Sequence, residues 1–156
     1  MNERLILDRF LPYRLSVLSN TVSPAIANRY TERFDLRIPE WRVLAVLGMQ
    51  PGLSAAEVAA RTAMDAVAVS RAVTRLIKQG RLERSYHSTD RRRSELRLSE
   101  QGQRVYEEIV PIARAYEGAL LERLDESQRF ELDRLLKLLT QQADLLTHQP
   151  PTHDEI

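Results

Sequence analysis

The 156-residue sequence predicts a mainly α-helical protein with one small β-hairpin. Two observations support this fold class. Apolar residues recur every three or four positions over most of the chain, which is the spacing of amphipathic helices. Between Gly80 and Ser99 they alternate with polar residues instead, which is typical of half-buried strands. The hairpin therefore interrupts a helical chain and has helices on both sides.

The N-terminal segment predicts one long helix from Leu5 to about Phe34. Pro24 falls inside it, and a proline inside a helix removes a hydrogen bond, so we expect a kink near Ser23. A second helix is predicted to begin around Pro39, because proline fits the first turn of a helix. The sequence Gly-Met-Gln-Pro-Gly at 48–52 ends this second helix.

Two capping signals then predict a helix-turn-helix. Ser54 and Glu57 have the spacing of a capping box, in which a hydroxyl and a carboxylate satisfy unpaired N–H groups at a helix start. The helix that follows, Ala55 to about Thr62, is short and rich in alanine, as a close-packed supporting helix should be. Asp65 is predicted to cap the next helix, which ends at Gly80.

The alternating segment predicts two half-buried antiparallel strands. The first covers Leu82 to Tyr86, and the second includes Leu96 and Leu98. The polar segment His87 to Ser94 joins them as a hairpin. Helix resumes at Ser99, which is the start of the C-terminal third of the chain.

The last helix is predicted to be capped by Asp-Glu-Ser-Gln at 125–128, and the polar tail 149–156 is predicted to be disordered. We expect one domain over residues 1–148. Its parts are two terminal helical segments, at about 5–34 and 100–147, and the region of the helix-turn-helix and hairpin between them, at about 39–98.

The composition excludes several kinds of protein. The chain has no cysteine, so disulfides, cysteine metal sites and thiol redox chemistry are ruled out. No apolar run reaches the roughly 20 residues that a membrane helix needs, and the N-terminus has no signal-peptide core. We expect a soluble cytoplasmic protein that binds no membrane, no metal and no cofactor.

Charge is unevenly distributed along the chain. Residues 66–98 contain nine lysine or arginine residues against three acidic ones, whereas residues 99–156 contain six against twelve. A segregated basic segment is typical of a phosphate-binding surface, and an acidic remainder favours solubility. Because the basic segment coincides with the helix-turn-helix and the hairpin, the sequence predicts binding to double-stranded DNA.

The helix after Asp65 is the predicted DNA-reading helix. Its inward face is predicted to consist of Val67, Val69, Ala72, Val73, Leu76 and Ile77. Arg71 and Arg75 lie one turn apart on the other face, where each can bind guanine or phosphate. The residues of this region predicted to contact DNA are Ser54, Ala66, Ala68, Ser70, Arg71, Thr74, Arg75 and Lys78. The alternative is an ordinary solvated helix face.

The hairpin tip, Ser-Thr-Asp-Arg-Arg-Arg-Ser at 88–94, predicts a second DNA contact. Arginine suits a narrow minor groove, where the potential is most negative. We expect Arg91, Arg92 and Arg93 to face DNA, with Arg91 or Arg92 inserted into the groove. Asp90 is predicted to orient one of these arginines through a bidentate pair. The alternative is a flexible charged turn.

Five short motifs follow one another along the chain: Pro39-Glu-Trp-Arg42, Leu53-Ser-x-x-Glu57-Val-Ala, Val69-Ser-Arg-x-Val73, Asp90-Arg-Arg92 and Leu98-Ser-x-x-Gly102. In this order and spacing they resemble the motifs of the MarR family of winged helix-turn-helix regulators. The resemblance covers nearly the whole chain. It implies an obligate homodimer built from the terminal helices, a palindromic operator, repression by default, and release by a small, often aromatic, anionic ligand. One position departs from the pattern: many members have a lysine after the aspartate cap, where this chain has Ala66.

Dimerisation also follows from the leucine-rich stripes at both ends of the chain, Leu5 to Leu18 and Leu120 to Leu145. A dimer doubles the phosphate contacts of a small basic segment and places two DNA-reading helices about 34 Å apart, one turn of DNA. The alternative for the stripes is an intramolecular helical bundle.

A ligand pocket is predicted where the first two helices meet, which is the region that the family uses. The residues that we place there are Tyr13, Arg14, Ser19, Trp41 and Arg42. An arginine beside aromatic rings can hold a carboxylate while the rings stack on an aromatic ligand. The alternative is that Trp41 belongs to the core and both arginines are ordinary ion-pair partners.

Other function classes fit less well. An enzyme is poorly supported, because the sequence has no clustered acid–base set, no phosphate loop and no nucleophile spaced near a base. A ligand-independent architectural DNA-binding protein is the main alternative. A protein-interaction module that no longer binds DNA comes third.

Overall fold

The computed structural model describes residues 4–86 and 94–148. Within these residues the protein is mostly helical and has one two-stranded antiparallel sheet, so the predicted fold class is confirmed. The elements are α1 (Leu11–Ala27), α2 (Thr31–Phe34), α3 (Ile38–Met49), α4 (Ala55–Thr62), α5 (Ala66–Lys78), β1 (Leu82–Tyr86), β2 (Ser94–Leu98), α6 (Glu100–Leu120) and α7 (Glu126–His148).

The chain divides into two compact units, Met1–Arg114 and Ala115–Ile156. The first unit contains the hydrophobic core, whose largest fully buried side chains are Tyr30, Leu36, Leu44, Leu47, Leu76, Leu96 and Ile109. These residues come from the α1–α2 connection, the following loop, α3, α5, β2 and α6. The core therefore joins the helix-turn-helix to its flanking elements within this unit.

The single N-terminal helix predicted over Leu5 to Phe34 is wrong. A 3₁₀ turn at Leu7–Arg9 comes first, and Phe10 is extended before α1 begins. Pro12 suits this start, because it lies in the first turn of α1, where its missing N–H costs no helical hydrogen bond. Helix α1 includes Pro24 and ends at Ala27, and the short α2 follows after a turn.

The helix-turn-helix is confirmed as α4 and α5, which pack against each other and against α3. The loop before α4 also contacts the sheet. Leu53 pairs with Leu96, and the Leu96 N–H donates to the Leu53 carbonyl oxygen at 2.8 Å. This bridge ties the start of the helix-turn-helix to the hairpin.

Strands β1 and β2 pair with Leu82 opposite Leu98 and Tyr86 opposite Ser94. Half-burial is confirmed for β2, where Leu96 is buried, but only Leu82 is buried in β1. Tyr86 is 60% exposed. The expected alternation fails in β1 because this ribbon has only two strands and its far end extends beyond the core.

The second unit contains the C-terminal end of α6 and helix α7. The predicted cap of α7 is confirmed: the Gln128 N–H donates to Asp125 Oδ1 at 2.8 Å, and the Asp125 N–H donates to Gln128 Oε1 at 3.0 Å. The large apolar side chains of α7 that are exposed in the single subunit are Phe130, Leu132, Leu135, Leu136, Leu138, Leu139, Leu145 and Leu146. The tail predicted to be disordered, 149–156, lies outside the described residues. No helix in the described part of the chain is long and apolar enough to cross a membrane.

Candidate nucleic-acid interface

Helix α5 begins as its sequence predicts. The Ala68 N–H donates to Asp65 Oδ1 at 2.7 Å, which satisfies one of the unpaired donors at the helix start. The residues that it buries are Val69, Ala72, Val73 and Leu76. The predictions that Val67 and Ile77 face inward are wrong, because Val67 is 59% exposed and Ile77 is 36% exposed. Two residues of an α-helix rotate by roughly 200°, so Val67 and Val69 point to opposite sides.

The opposite side of α5 forms a small, positively charged face. Its exposed members are Ala66, Ser70, Arg71, Thr74 and Lys78, and Ala68 is half-buried beside them. The Thr74 hydroxyl donates to the Ser70 carbonyl oxygen at 2.9 Å and is therefore held close to the helix. Within residues 4–86 and 94–148, neither Arg71 nor Lys78 forms an ion pair. Both cations are accessible to a polyanion.

Arg75 is placed differently from its predicted DNA-facing neighbours. Its guanidinium lies 2.9 Å from Asp35 Oδ1 through one terminal nitrogen, and its Nε lies 3.1 Å from Glu40 Oε1. The Arg75 side chain is 30% exposed, whereas that of Glu40 is 4% exposed. Arg75 therefore faces the α2–α3 connection rather than sharing the open surface of Arg71.

Ser54 caps α4 as predicted. Its hydroxyl donates to Glu57 Oε2 at 2.8 Å, and its backbone N–H donates to the same oxygen at 2.8 Å. The Glu57 N–H in turn donates to Ser54 Oγ at 3.3 Å. These bonds hold the pKa of the Glu57 carboxyl below its ordinary value, with the backbone N–H of Ser54 as the main cause. Ser54 thus stands at the N-terminus of the first helix of the helix-turn-helix.

The predicted hairpin-tip residues Asp90, Arg91, Arg92 and Arg93 lie outside the described residues. The strands that lead to this tip are described. Arg97 of β2 forms an ion pair with Glu95 at 3.2 Å, and Arg84 of β1 is exposed.

The predicted ligand-pocket residues fall into two groups. Tyr13 and Arg14 line a shallow groove of about 340 Å³ along α1, whose lining residues are Asp8, Tyr13, Arg14, Val17, Leu18 and Thr21. Ser19 is exposed on the same helix, and Arg42 is half-buried on α3. Trp41 is half-buried and packs against the core, so the lining of the groove includes neither Trp41 nor Arg42.

Trp41 stands between two tyrosine rings. Its ring centroid lies 5.8 Å from that of Tyr30 and 6.1 Å from that of Tyr106, and the second pair is stacked. Burial raises the pKa of Tyr30 to about 12, partly opposed by the nearby Arg42 charge. Sequence reasoning did not identify Tyr30 or Tyr106, because no local pattern brings these rings to Trp41.

Asp35 and Glu40 were also missed. The only sequence signal for Glu40 is its place in the first turn of a predicted helix, where a carboxylate is favourable. That signal does not show that Glu40 is 3% exposed or that its partner is a residue of α5. Such a contact is visible only once the helices are packed.

Comparison with known proteins places this geometry among DNA-binding regulators. A model of the MarR family matches residues 34–93. The HTH-type transcriptional regulator BilQ of Clostridium symbiosum is 31% identical over 101 residues, which make up 64% of this chain and 70% of BilQ. The HTH-type transcriptional repressor Rv2887 of Mycobacterium tuberculosis is 28% identical over 131 residues, 83% of this chain and 91% of the repressor.

Solved structures give the same result. A MarR/EmrR family transcriptional regulator from Acinetobacter sp. ADP1 is 30% identical, with a TM-score of 0.84 over 90% of this chain and 99% of that one. BpsR of Bordetella bronchiseptica, whose DNA binding is regulated by 6-hydroxynicotinic acid, has a TM-score of 0.77 over 88% of this chain and 98% of BpsR. BpsR is 22% identical, so its likeness concerns the fold alone.

Proposed function

Since the chain belongs to the MarR family of DNA-binding transcriptional regulators, we propose that it acts as a homodimeric repressor of neighbouring genes. In this proposal the region at about 39–98 binds a palindromic operator. The helices at about 5–34 and 100–147 form the dimer contact, so that residues 1–148 work as one functional domain. A small, aromatic acid-like ligand releases the DNA.

The exposed basic face of α5 is the main observation that supports DNA binding in this proposal. Arg71 and Lys78 are both exposed, and the helix contains no acidic residue. Ala66, Ser70 and Thr74 are small, so they let the helix approach the floor of a major groove closely. We assign the hairpin-tip residues Arg91, Arg92 and Arg93 to the DNA, with Arg91 or Arg92 in the minor groove and Asp90 orienting one of them, because their strands start from the same unit as α5.

The exposed apolar side chains support the homodimer. Helix α7 has no buried residue in the single subunit, although leucines make up much of one side. An amphipathic helix of this length normally buries its apolar side against another element. A second copy of the chain also gives the two-fold symmetry that a palindromic operator requires.

The groove on α1 has room for a small ligand, and this supports the proposal that a small molecule releases the DNA. Tyr13 supplies a ring and Arg14 supplies a guanidinium, which together suit an aromatic carboxylate. Its volume of about 340 Å³ lies at the lower end of the range for small-molecule sites. BpsR, a protein of the same fold, responds to an aromatic acid. We place Ser19, Trp41 and Arg42 in the surroundings of this site.

The proposed function is tested by measuring DNA binding and release. Fluorescence anisotropy with the DNA upstream of the gene should give a Kd at least about 10³-fold lower than with random duplex of the same length. An architectural DNA-binding protein would bind both duplexes within about tenfold. Failure to bind either duplex at low salt would refute DNA binding altogether.

Ligand release is tested with 6-hydroxynicotinic acid and benzoic acid as probes. A probe that enters the groove should weaken binding of the wild-type protein to the upstream duplex. Arg14→Ala should abolish this response, whereas Arg29→Ala, which removes an exposed arginine beyond the other end of α1, should leave it intact. If aromatic carboxylates as a class leave the Kd unchanged, the aromatic-acid part of the proposal is wrong.

A further inference from the structure

Three side chains at the end of α5 and just after it bind the connection between α2 and α3. Arg75 contacts Asp35 and Glu40, and the Gln79 amide donates to the Asp35 carbonyl oxygen at 3.2 Å and to Asp35 Oδ2 at 3.3 Å. Arg81 donates to the Phe34 carbonyl oxygen, and its other terminal nitrogen lies 3.2 Å from Gln79 Oε1. These three side chains therefore fasten the α2–α3 connection and the first turn of α3 to the DNA-reading helix.

The two acidic partners of Arg75 differ in how firmly they are held. The second carboxylate oxygen of Glu40 accepts the Arg37 N–H at 2.8 Å, and the Glu40 side chain is 4% exposed. Asp35 adopts φ 49° and ψ 48°, a left-handed conformation that aspartate and asparagine tolerate better than most residues. The Glu40 carboxylate therefore cannot follow Arg75 if the guanidinium turns away, whereas the Asp35 side chain is 79% exposed and is held less firmly.

Burial makes the Arg75–Glu40 pair costly to break. Removing one member of a buried ion pair leaves the other charge without compensation in a poorly solvated place. If Arg75 reached out to a phosphate, the buried Glu40 carboxylate would lose its nearest cation. It would keep the neutral Arg37 N–H as its donor and the charge of Arg81, which lies beyond ion-pair distance. Within the described residues, Arg71 and Lys78 form no ion pair that would have to break before they bound a phosphate.

We propose that Asp35 and Glu40 are positioning residues that set the placement of α5 through Arg75, so that Arg75 tethers the DNA-reading helix and does not bind DNA. This rests on the proposed function, because α5 must be the helix that enters the groove. Base contacts depend on the placement of the helix, whereas phosphate contacts tolerate small changes. Loss of the tether therefore weakens discrimination between DNA sequences.

The salt dependence of DNA binding separates a tether from a phosphate contact. The probes are a duplex of about 20 base pairs selected by the wild-type protein from a random library, which spans two turns of DNA, and a scrambled duplex. Arg71→Gln is the matched control on the same helix. If Arg71 meets phosphate, its loss should lower the slope of log Kd against log salt by about 0.9 per subunit. Arg75→Gln should leave the slope unchanged and reduce the preference for the selected duplex by about tenfold, the effect of losing one base contact.

Two further variants make the test independent of global unfolding. Arg75→Lys keeps the positive charge but loses the planar guanidinium. If Arg75 contacts phosphate, this variant should restore the salt slope; if Arg75 is a tether, it should not restore the preference for the selected duplex. Asp35→Asn keeps a residue suited to the left-handed conformation and should reproduce the loss of discrimination, since only the carboxylate charge is removed. Circular dichroism establishes whether each variant is folded. If Arg75→Gln does not fold, the discrimination measured for Asp35→Asn tests the tether instead.

The outcomes for the tether and for the proposed function are distinguishable. If the wild-type protein selects no duplex, the proposed function fails. If it selects one, but Arg75→Gln lowers the salt slope as much as Arg71→Gln and Arg75→Lys restores it, only the tether is overturned. Unchanged discrimination in both Arg75→Gln and Asp35→Asn would also overturn it.

Discussion

Gly102, in the first turn of α6, lies directly against the backbone carbonyl oxygen of Arg81: a Cβ atom at position 102 would be 2.0 Å from this oxygen. The same oxygen accepts the Ser99 N–H at 3.0 Å, and the Gly102 N–H donates to Ser99 Oγ at 3.0 Å. The start of α6 is thus packed onto the residue that links α5 to β1.

Gly102→Ala should therefore destabilise the protein. The added methyl group must displace the backbone at Arg81, and overpacking of this kind typically costs about 1–3 kcal/mol. Urea denaturation followed by circular dichroism measures the change. Gly118→Ala in the same helix is the control, because among the described residues no atom outside the neighbouring helix backbone lies within 4 Å of its added Cβ. It should stabilise the protein by about 0.5–1 kcal/mol, since alanine favours helix. Equal effects of the two variants would contradict the close approach at Gly102.

The elements that sequence reasoning predicted correctly are those determined by neighbouring residues. Ser54, Asp65 and Asp125 each cap a helix through a partner three residues away, and the structure has all three bonds. The strands were located by the change from helical to alternating spacing. Local chemistry is sufficient for such features, because the interacting groups are close in the sequence.

The features that were missed depend on distant residues. Arg75 was assigned to DNA by its place on a helix, and its ion pairs with Asp35 and Glu40, which lie 40 and 35 positions earlier in the chain, were not predicted. The grouping of Trp41 with Tyr106 likewise requires α3 and α6 to pack. Periodicity indicates which side of a helix is apolar, but it does not indicate which polar residue on the border turns inward.

Ala66→Lys should strengthen DNA binding. Ala66 is exposed at the first position of α5, where many members of the family have a lysine, and no acidic residue lies in the first turn. A lysine that meets a phosphate adds about 0.9 per subunit to the slope of log Kd against log salt. Anisotropy titrations at several salt concentrations measure this, with Ala66→Gln as the uncharged control. An unchanged slope in Ala66→Lys would mean that this end of α5 does not face the DNA backbone.

Acid should weaken the cap of α4. Hydrogen bonds from Ser54 lower the pKa of Glu57 in the folded protein, so this carboxylate contributes stability above its unfolded-state pKa of about 4.3. The contribution is lost as pH falls through the lower folded-state pKa. The unfolding free-energy difference between wild type and Glu57→Gln should therefore be constant near neutral pH and change between about pH 5 and pH 3. Ser54→Ala should retain part of this dependence, because its backbone N–H still donates. A difference that does not vary with pH would contradict the capping role of the charge.

Charged substitutions on α7 should separate the subunits without unfolding either one. Leu135 and Leu139 lie one turn apart and are 43% and 42% exposed in the single subunit, so lysine at either position has access to water there. In a dimer that buries this side of α7, the same lysines would be desolvated without a partner. The double variant Leu135→Lys/Leu139→Lys should therefore be monomeric by light scattering and bind the selected duplex more than about tenfold more weakly, since the phosphate contacts per complex are halved. Met49→Lys is the control, because Met49 is 72% exposed at the end of α3 and should leave the dimer intact. A double variant that remains dimeric at micromolar concentration would place the subunit contact elsewhere in the chain.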